Sequence, residues 1–419
     1  MKNKIKTILI SFIKKNYYIL SLLRNIRFIF TRLIFTICYL GNKVDDNLII
    51  FESYMGRQFS CSPKAIYEEL VKNEEYNNYK FVWAFRKCEK YKYLEKQKNT
   101  KVVEFGSREY YKIYSSAKYW ITNSRLNGRI LKKKNQIYIQ CWHGTPLKKL
   151  GYDIKISGGN AMNSNRDIRR KYKMDSKRYS YMISPSRFCT EKFKSAFDLK
   201  DINIIKELGY PRNDYLYNYT QSDIDNIKNK LKIKNNKKII LYAPTWRDNQ
   251  HKSGIGYTYK LGIDFEKLKK EFQDEYVILF RTHYFVANQI DLKKYSDFVI
   301  DVSSYEDIKE LYIISDILIT DYSSVFFDYA NLKRPIIFYM YDYNEYKNNL
   351  RDFYIDLSSI PGPIVKNEEE LIDKIKGIDV VKKEFSKKYK EFNNKYNYLD
   401  DGKSSQRVIY ECIIKEQKE

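Results

Sequence analysis

The sequence is poor in histidine, and that shortage limits the chemistry it can perform. Its 419 residues include three histidines, His143, His251 and His283. Imidazole is the side chain whose ordinary pKa lies closest to neutral pH, so a histidine general base or metal ligand must be one of these three. The six cysteines include no CxxC pair, which excludes that kind of zinc or redox motif and fits a reduced, cytosolic chain.

Glycine and proline are also scarce, and this excludes other protein classes. With 15 glycines and 8 prolines the chain is not collagen-like, and six scattered cysteines do not make a disulfide scaffold. Hydrophobic residues make up 43% and charged residues 31%, which is globular composition, and the length allows two domains. The formal net charge of +25 predicts an anionic partner: phospholipid, nucleic acid or a phosphorylated substrate.

Residues 1–42 lack acidic residues altogether and carry eight lysines and arginines. Their longest uncharged stretch, residues 33–42, has 10 residues, whereas a membrane-spanning helix needs about 20. Apolar residues recur every seven positions, at Ile5, Phe12, Ile19, Ile26 and Leu33. This pattern predicts an amphipathic segment in the interface of an anionic membrane, divided into two shorter helices because Arg27 falls near the apolar stripe. The alternative is a basic helix packed on the protein's own core.

Short apolar runs recur along the rest of the chain and predict strands. They are LIIFE (48–52), FVWAF (81–85), VVEF (102–105), YWIT (119–122), IYIQCW (137–142), YMIS (181–184), IILYAP (239–244), VILFR (277–281), FVID (298–301), ILIT (317–320) and IIFY (336–339). Helix-like stretches separate many of them, at 64–72, 189–197, 222–232 and 264–272. This alternation is typical of parallel sheets that are covered on both faces.

The two sets of runs predict an α/β fold with two doubly wound, Rossmann-type domains. We expect a basic amphipathic segment at 1–45, an N-terminal domain at 46–208, a C-terminal domain at 209–385 and a helical tail at 386–419. In the tail, Ser404 or Ser405 would cap a helix. Ligands of open α/β sheets bind beyond the carboxyl ends of the strands, so function should lie there, facing a cleft between the domains.

His143 follows the run IYIQCW directly and is the most promising of the three histidines. Gly144 would let the backbone approach a ligand closely, and Thr145-Pro146 would cap and start the next helix. A histidine on such a turn would lie at the mouth of the cleft. The alternative, a loop histidine satisfied by backbone groups, ranks behind because the turn chemistry and the strand-end position agree.

The other two histidines differ in context. His283 follows the run VILFR, and Arg281 beside it could pair with a phosphate. On this evidence alone, a solvated strand-end histidine is an equal alternative for His283. His251 lies in a polar, glycine-containing loop, where no functional role is expected.

An anion site is predicted where the run ILIT ends in a polar turn. Ser323 and Ser324 follow this strand at the start of a helix, where backbone N–H groups and hydroxyls would bind an anion. An ordinary N-cap at Ser323 is compatible with that role. Asp328 lies on the same helix face, and because a carboxylate repels phosphate, we expect it to meet sugar or glycerol hydroxyls.

Together these segments resemble the CDP-glycerol glycerophosphotransferase family, the teichoic-acid primases and polymerases of Gram-positive bacteria. The segments that carry the resemblance stand in family order and are FESYMGRQFSCSPKAIYEEL (51–70), QCWHGTPLKKLGYD (140–153), SPSRFCTEKFKSAF (184–197), GYPRND (209–214), ILYAPTWRD (240–248), RTHY (281–284), ISDILITDYSSVFFDYANLKRP (314–335) and PGPI (361–364). The resemblance implies a GT-B-like fold and peripheral association with the cytoplasmic face of the cell membrane. It also implies transfer of an alditol phosphate from a CDP-activated donor to a membrane-bound acceptor.

Carried over residue by residue, the resemblance implies that His143 and His283 are active-site residues. The positions assigned to the substrate site are Gly144, Thr145, Pro146, Leu147, Arg212, Pro244, Thr245, Arg281, Thr282, Ser323, Ser324 and Asp328. No cluster of histidine, cysteine and aspartate has metal-ligand spacing, so no protein-held metal is expected. No cofactor is expected either, because the CDP-alditol is a substrate.

The expected reaction is attack by an acceptor hydroxyl on the alditol-side phosphorus of CDP-glycerol or CDP-ribitol, with CMP leaving. His143 is the candidate general base. His283, Arg281, Arg212 and the Ser323–Ser324 helix end would hold the pyrophosphate. The acceptor would be a lipid-linked glycan or a polymer, in teichoic acid or capsule synthesis, with residues 1–42 on the membrane.

Several alternatives stay open at this point. The sequence does not distinguish glycerol from ribitol donors, primase from polymerase activity, or a wall polymer from a capsule. It also leaves open which histidine is the base and what the oligomeric state is. A GT-B glycosyltransferase that uses a nucleotide sugar is the nearest rival, and a non-catalytic basic membrane-binding module is a remote one. Nucleic acid is the least expected partner.

Overall fold

Two fully parallel β-sheets, one in each half of the chain, organise the fold. A computed structural model describes residues 17–154, 165–245, 251–252, 256–257, 262–282, 292–343 and 353–417. Each sheet carries a buried apolar cluster on both faces, which explains why its strands are apolar almost throughout. The predicted α/β fold with two doubly wound domains is confirmed.

The first sheet has seven strands in the order β3-β2-β1-β4-β5-β6-β7. They are β1 (Asp45–Glu52), β2 (Lys80–Phe85), β3 (Thr100–Glu104), β4 (Ala117–Thr122), β5 (Ile137–Gln140), β6 (Tyr181–Ser184) and β7 (Ile205–Glu207). The described α-helices of this half are α1 (Tyr17–Tyr39), α2 (Cys61–Lys72), α3 (Arg108–Ser116), α4 (Asn165–Ser176) and α5 (Arg187–Ala196). The strand order reverses between β1 and β4, and such a switch point opens a crevice at the carboxyl ends of the strands.

The second sheet repeats this winding with six strands in the order β12-β11-β8-β13-β14-β15. They are β8 (Lys238–Ala243), β11 (Tyr276–Phe280), β12 (Val299–Asp301), β13 (Ile317–Thr320), β14 (Ile336–Tyr339) and β15 (Ile364–Val365). A separate antiparallel pair joins β9 (His251–Lys252) to β10 (Gly256–Tyr257). The switch point of this sheet lies between β8 and β13, where Leu241 is opposite Leu318.

Short helices surround the second sheet. They are α6 (Tyr215–Asn218), α7 (Gln221–Lys230), α8 (Phe265–Phe272), α9 (Ile308–Ile314), α10 (Val325–Tyr329), α11 (Glu368–Lys376), α12 (Ile378–Glu384) and α13 (Ser386–Tyr396). The chain therefore crosses between the domains twice. It leaves the first domain after β7 and returns to it after α13.

The C-terminal helix packs on the first domain rather than on the second. Helix α14 (Ser404–Ile409) continues as a π-helix, and its residues Ile409 and Ile413 join the apolar cluster around β1. The prediction that Ser404 or Ser405 caps this helix is wrong. Both residues donate backbone N–H groups to the Asp214 carboxylate, at 2.9 and 2.7 Å, so a residue of the first crossing caps the helix.

The N-terminal helix α1 is continuous from Tyr17 to Tyr39, so the expected division into two shorter helices is wrong for this stretch. Residues 1–16 of the predicted amphipathic segment lie outside the described residues. In the part of the chain that is described, no helix combines the length and the apolar character that a membrane crossing requires.

The segment after β5 also differs from expectation. No helix starts at Thr145-Pro146; the chain runs irregularly to Leu150 instead. The reason is a contact with the second domain: Tyr354 N–H donates to the Leu147 carbonyl at 2.9 Å, and Lys148 forms a β-bridge with Phe353. Leu147 itself is buried in the apolar cluster of the second domain. The turn that carries His143 is thus clamped to both domains.

Candidate active site

The carboxyl ends of both sheets face a common cleft that holds two neighbouring cavities. The larger has a volume of about 570 Å³ and is lined by Tyr54 and Arg57 of the first domain and by Arg212, Arg281 and Asp328, among others. The smaller, of about 240 Å³, lies against the segment from Trp142 to Lys148 and against Thr245, Tyr322 and Ser323. His143 and Ser324 line both cavities, so they stand at the junction. The larger volume suits a small organic ligand.

The His143 ring is held in one orientation by the end of strand β4. Its Nδ1 lies 2.7 Å from the backbone carbonyl oxygen of Asn123. A carbonyl only accepts hydrogen bonds, so Nδ1 carries the proton in the neutral ring and Nε2 keeps the lone pair. The Asn123 side chain also accepts from Tyr54 N–H at 2.8 Å, which ties the turns after β1 and β4 together. His143 can therefore accept a proton at Nε2.

The pKa of His143 is lowered to about 4, although the residue as a whole is exposed to the cleft. Burial among the surrounding residues is the largest cause, and repulsion from Arg212 and Arg125 adds to it. The hydrogen bond to Asn123 acts in the opposite direction. The ring is thus neutral at physiological pH, and the form that can take a proton is the one present.

Arg212 and Asp328 pair with each other at the floor of the larger cavity. Arg212 Nε and Nη2 donate to the two Asp328 oxygens at 3.0 and 2.8 Å, and both side chains are buried. The guanidinium lies 3.6 Å from the centre of the Tyr210 ring. Among the described residues, its third nitrogen, Nη1, has no partner. The prediction assigned phosphate to one residue and hydroxyls to the other, whereas the structure joins them in one ion pair.

Arg281 approaches the same cavity from strand β11. Its Nη1 donates to the carbonyl oxygens of Val302 and Tyr305, at 2.9 and 2.7 Å, which fixes the guanidinium against the loop after β12. The next residue, Thr282, donates its N–H to Ser303 Oγ at 3.0 Å. The Thr282 hydroxyl is buried and has no partner among the described residues. Two cations and a hydroxyl therefore line one wall of the cavity.

The turn after β13 meets the His143 turn across the cleft. A Cβ atom built on Gly144 would lie 3.0 Å from Ser324 Oγ, so glycine is what lets the two turns approach. Helix α10 has only five residues, and Ser324 precedes it without capping it through its side chain. Asp321 organises this wall: its Oδ1 accepts N–H groups from Thr245 and Tyr322, at 2.8 and 2.6 Å.

Backbone strain concentrates at this site. Tyr54, Met55, Cys61 and Trp142 have φ angles of 47°, 59°, 65° and 49°, in the left-handed region that non-glycine residues avoid. All four are at or beside the His143 cleft. Each such residue costs on the order of 1 kcal/mol or more, which the surrounding packing must offset. Strain of this kind is typical of sites where a ligand dictates the geometry.

Several cavity residues were missed by the sequence analysis. Tyr54, Gln58 and Ser60 follow strand β1, and Ser303, Ser304, Glu306, Asp307 and Lys309 follow β12. The strand-end rule pointed to both places, because each group comes directly after a buried run. Nothing in the local sequence showed that the two loops would meet.

Those two loops join the domains at the rim of the cavity. Glu306 accepts from Phe59 N–H at 2.8 Å and from Lys90 Nζ at 2.9 Å, and the Tyr91 hydroxyl donates to it as well. Lys64 Nζ lies 3.0 Å from Asp307 Oδ2. These contacts hold the cleft closed from one side.

Two sequence predictions cannot be placed in this geometry. His283 lies outside the described residues, and of His251 only the backbone, in β9, is described. Over the described part of the chain, no group of three or more histidine, cysteine, aspartate or glutamate side chains could hold a metal ion. Pro244 and Thr245 follow strand β8, with Thr245 beside Asp321, and Thr145 and Pro146 are buried in the turn after His143.

Two Rossmann-type domains whose strand ends meet at a cleft place this chain among proteins of the GT-B-like fold. A family model described as CDP-glycerol:poly(glycerophosphate) glycerophosphotransferase matches residues 34–415. The chain belongs to this family, as its motifs predicted.

Known relatives agree with this assignment. A teichoic acid poly(glycerol phosphate) polymerase from Bacillus spizizenii is 42% identical over 374 residues, which cover 88% of this chain and 92% of the relative. Another from Staphylococcus epidermidis is 42% identical over 381 residues, 90% of this chain but 52% of the relative. This chain thus spans about half the length of that second relative. A solved structure of a variant of the wall teichoic acid polymerase TagF is 40% identical with a TM-score of 0.84, covering 95% of this chain and 98% of the TagF chain.

Proposed function

We propose that this protein transfers glycerol phosphate from CDP-glycerol to a hydroxyl of a growing teichoic acid polymer and releases CMP. The observation that carries the proposal is His143, whose Nε2 is the free nitrogen of a neutral ring at the junction of two cavities. The family assignment and the relatives named for poly(glycerol phosphate) support the choice of donor. A TagF structure soaked with CDPG supports it as well.

In this mechanism the acceptor hydroxyl gives its proton to His143 Nε2 as its oxygen attacks the glycerol-side phosphorus. The bond between that phosphorus and the bridging oxygen breaks, and CMP carries away the electron pair. General base catalysis of this kind contributes about 10²- to 10⁴-fold. A neutral imidazole with a lowered pKa is a weak base, but it is deprotonated and positioned at all physiological pH values.

Arg212 and Arg281 stabilise the negative charge of the donor. Phosphoryl transfer depends chiefly on positioning and on electrostatic stabilisation of the phosphate oxygens. Asp328 already pairs with two nitrogens of Arg212, and the third, Nη1, is buried and has no partner among the described residues, so we assign the phosphate contact to Nη1. Arg281 is held by backbone carbonyls, so its charge is not neutralised by them.

Donor turnover by the full chain tests the proposal. The purified protein is incubated with CDP-glycerol, CDP-ribitol and several nucleotide sugars, and nucleotide release is measured with a poly(glycerol phosphate) acceptor. We expect CMP release from CDP-glycerol, and a His143→Ala variant at least 10²-fold slower. Nucleotide release from a nucleotide sugar alone would instead establish the glycosyltransferase alternative. CMP release from CDP-ribitol alone would mean that the protein transfers ribitol phosphate and not glycerol phosphate.

The His143→Ala result needs a fold control, because a collapsed site would give the same loss. The variant's circular dichroism spectrum and thermal midpoint should match those of the wild type. His251→Ala serves as the matched histidine variant and should keep full activity. Near wild-type CMP release by a folded His143→Ala variant would remove His143 from the mechanism.

We also propose that helix α1 places the protein on the cytoplasmic face of an anionic membrane, where a lipid-linked acceptor would be met. One face of α1 packs on α3, through Phe35 and Tyr39 against Tyr111. The opposite face leaves large apolar side chains exposed, among them Ile26 (54%), Ile29 (65%), Phe30 (61%) and Ile37 (74%). This exposed face disfavours the alternative of a helix packed on the core. Interfacial helices bury such a face among lipid headgroups.

Vesicle flotation tests this second proposal. The full chain should bind phosphatidylglycerol vesicles at low salt, and Ile29→Glu/Ile37→Glu should bind at least tenfold more weakly because two apolar contacts are lost. Lys387→Glu, on the exposed face of α13, changes the net charge by the same two units and serves as the control. If both variants lost vesicle binding equally, binding would depend on net charge and not on the apolar face of α1, which would contradict the proposal. Absence of binding by the wild type would contradict it as well.

A further inference from the structure

Asp400 lies on the return crossing between the domains and has no place in the predicted site. Its side chain is almost fully buried, with 6% of the residue exposed. Oδ1 accepts from Tyr210 N–H at 2.7 Å. Oδ2 accepts from Asn213 Nδ2 at 2.6 Å and from Asn331 Nδ2 at 3.3 Å. One buried carboxylate thus gathers three donors from two separate segments.

Each of these donors belongs to a residue that positions the Arg212–Asp328 pair. Tyr210 precedes Arg212 in the same turn, and its ring supports the guanidinium. Asn213 Nδ2 also donates to Asp328 Oδ1 at 3.2 Å. Asn331 Nδ2 also donates to the Asp328 backbone carbonyl at 3.0 Å. Asp400 is therefore the common anchor of both members of the ion pair.

We propose that Asp400 is a positioning residue for donor binding, which holds Arg212 in place in the lining of the larger cavity. This inference rests on the proposed function, since it requires an anionic donor in that cavity. Arg212 and Asp328 come from different elements, and a bidentate pair alone fixes their mutual geometry but not its place in the cleft. The buried hydrogen bonds that Asp400 accepts from Tyr210, Asn213 and Asn331 supply the missing restraint.

The charges around Asp400 agree with this role. Burial is the largest cause that raises the pKa of Asp400 to about 7, and repulsion from Asp328 acts in the same direction. The hydrogen bonds from Tyr210 and Asn213, and the charge of Arg212, oppose this shift. The Tyr217 phenol also faces this cluster, together with the carboxylates of Asp214 and Asp401. With Asp400 partly protonated, Arg212 can meet a phosphate without a second full negative charge behind it.

Asp400→Ala in the full chain tests the proposal by steady-state kinetics with CDP-glycerol and a poly(glycerol phosphate) acceptor. We expect the donor KM to rise about tenfold, kcat to change less than about threefold and the acceptor KM to stay the same. Asp401→Ala is the matched control: the neighbouring carboxylate pairs with Arg407 at 2.8 Å, its side chain is 52% exposed, and the variant should keep wild-type constants. An unchanged donor KM in Asp400→Ala overturns the inference.

A double-mutant cycle with Asn213→Ala separates positioning from a general loss of stability. If Asp400 acts through Asn213, the double variant should raise the donor KM little more than Asn213→Ala does by itself. Fully additive effects on the donor KM would contradict the proposed route. If Asp400→Ala does not fold, Asn331→Ala is the milder test and should raise the donor KM about threefold.

Failure of the proposed function can be distinguished from failure of this inference. A wild-type protein that turns over neither CDP-glycerol nor CDP-ribitol contradicts the function, and with it the positioning role. An active wild type with an equally efficient Asp400→Ala variant contradicts the positioning role alone.

Discussion

At the scale of single residues, the site depends on which atoms of each side chain are already engaged. His143 was identified from its place after a strand, but its useful property is that Nδ1 is committed to a carbonyl and Nε2 is not. Arg212 was identified from a turn motif, but two of its three nitrogens are taken by Asp328. These hydrogen bonds come from other elements of the fold and determine which atoms of each residue can still bind a ligand.

The pH dependence of catalysis follows from the lowered pKa of His143. A general base must be deprotonated, so activity that depends on His143 is present above its pKa of about 4 and is lost as pH falls through that value. We therefore expect kcat/KM to stay flat between about pH 5 and pH 6.5, where an ordinary histidine would titrate. An acid limb with a midpoint near 6.5 in wild-type protein of intact fold would contradict this assignment.

Glu52 makes a separate prediction about stability. It is fully buried at the end of β1, where the Tyr110 and Tyr114 hydroxyls donate to Oε2 at 2.8 and 3.0 Å. Burial raises its pKa from 4.5 to about 7. The folded state thus holds this proton more tightly than the unfolded state, and the stabilisation present below pH 4.5 is lost as pH rises through 7.

Glu52→Gln should flatten this dependence because glutamine stays neutral. Between about pH 4.5 and pH 8.5, the variant should lose about 3 kcal/mol less unfolding free energy than the wild type. Chemical denaturation at several pH values measures the difference. Glu109→Gln, in an exposed pair with Lys101, should leave the wild-type pH dependence intact. If the unfolding free energies of Glu52→Gln and the wild type changed equally with pH, the raised pKa of Glu52 would be contradicted.

At the scale of elements, the two crossings between the domains also supply side chains that bind other parts of the fold. Three consecutive residues of the first crossing bind three different partners: Arg212 pairs with Asp328, Asn213 with Asp400, and Asp214 with the start of α14. The sequence of this stretch predicts a domain join and contains a family motif. The same stretch also links the two crossings to each other and to the cavity, and it does so through hydrogen bonds between residues more than 100 positions apart.

Asp214→Ala should weaken the docking of α14. The carboxylate satisfies two N–H groups at the helix N-terminus and is 8% exposed, so its loss leaves them buried without partners. We expect a loss of about 2 kcal/mol in unfolding free energy. Urea denaturation measures it.

Asp214→Asn provides the graded comparison, since its amide keeps one acceptor oxygen. It should lose about half as much unfolding free energy as Asp214→Ala. Wild-type stability for Asp214→Ala would mean that the cap contributes nothing measurable.

At the scale of the whole molecule, the active site exists only while the two domains are together. The His143 turn belongs to the first domain but is clamped by residues 353–354 of the second. On the other side of the cavity, Glu306 and Asp307 of the second domain hold residues of the first. Closure therefore brings the candidate base, the two arginines and both cavities into one arrangement.

Glu306→Ala should shift this arrangement toward an open form. It removes the acceptor of Phe59 N–H, Lys90 and Tyr91, so we expect a larger radius of gyration in small-angle scattering and about a tenfold lower kcat/KM. Asp297→Ala removes an exposed pair with Lys269 within the second domain and should change neither quantity. An unchanged radius and rate for Glu306→Ala would show that this rim does not control closure.

Much of the fold was predictable because strands and helices leave local patterns. All eleven apolar runs are strands of the two sheets, whereas the short edge strands β7 and β15 were missed. Edge strands of two or three residues carry too little periodicity to stand out. The helix expected at Thr145-Pro146 failed for a different reason, since contacts with the second domain hold that segment irregular.

The sequence by itself determined the two wound sheets, the family and the strand-end position of His143, because each is encoded in a few neighbouring residues. Only the tertiary structure decided which nitrogen of His143 is free, that Arg212 and Asp328 form one pair, and that Asp400 anchors it. The His143 partner, Asn123, lies on another strand end, the partners of Arg212 and Asp400 lie more than 100 positions away, and burial removes each group from water to a different extent. Local composition encodes neither, because desolvation and hydrogen-bond pairing are properties of the packed chain.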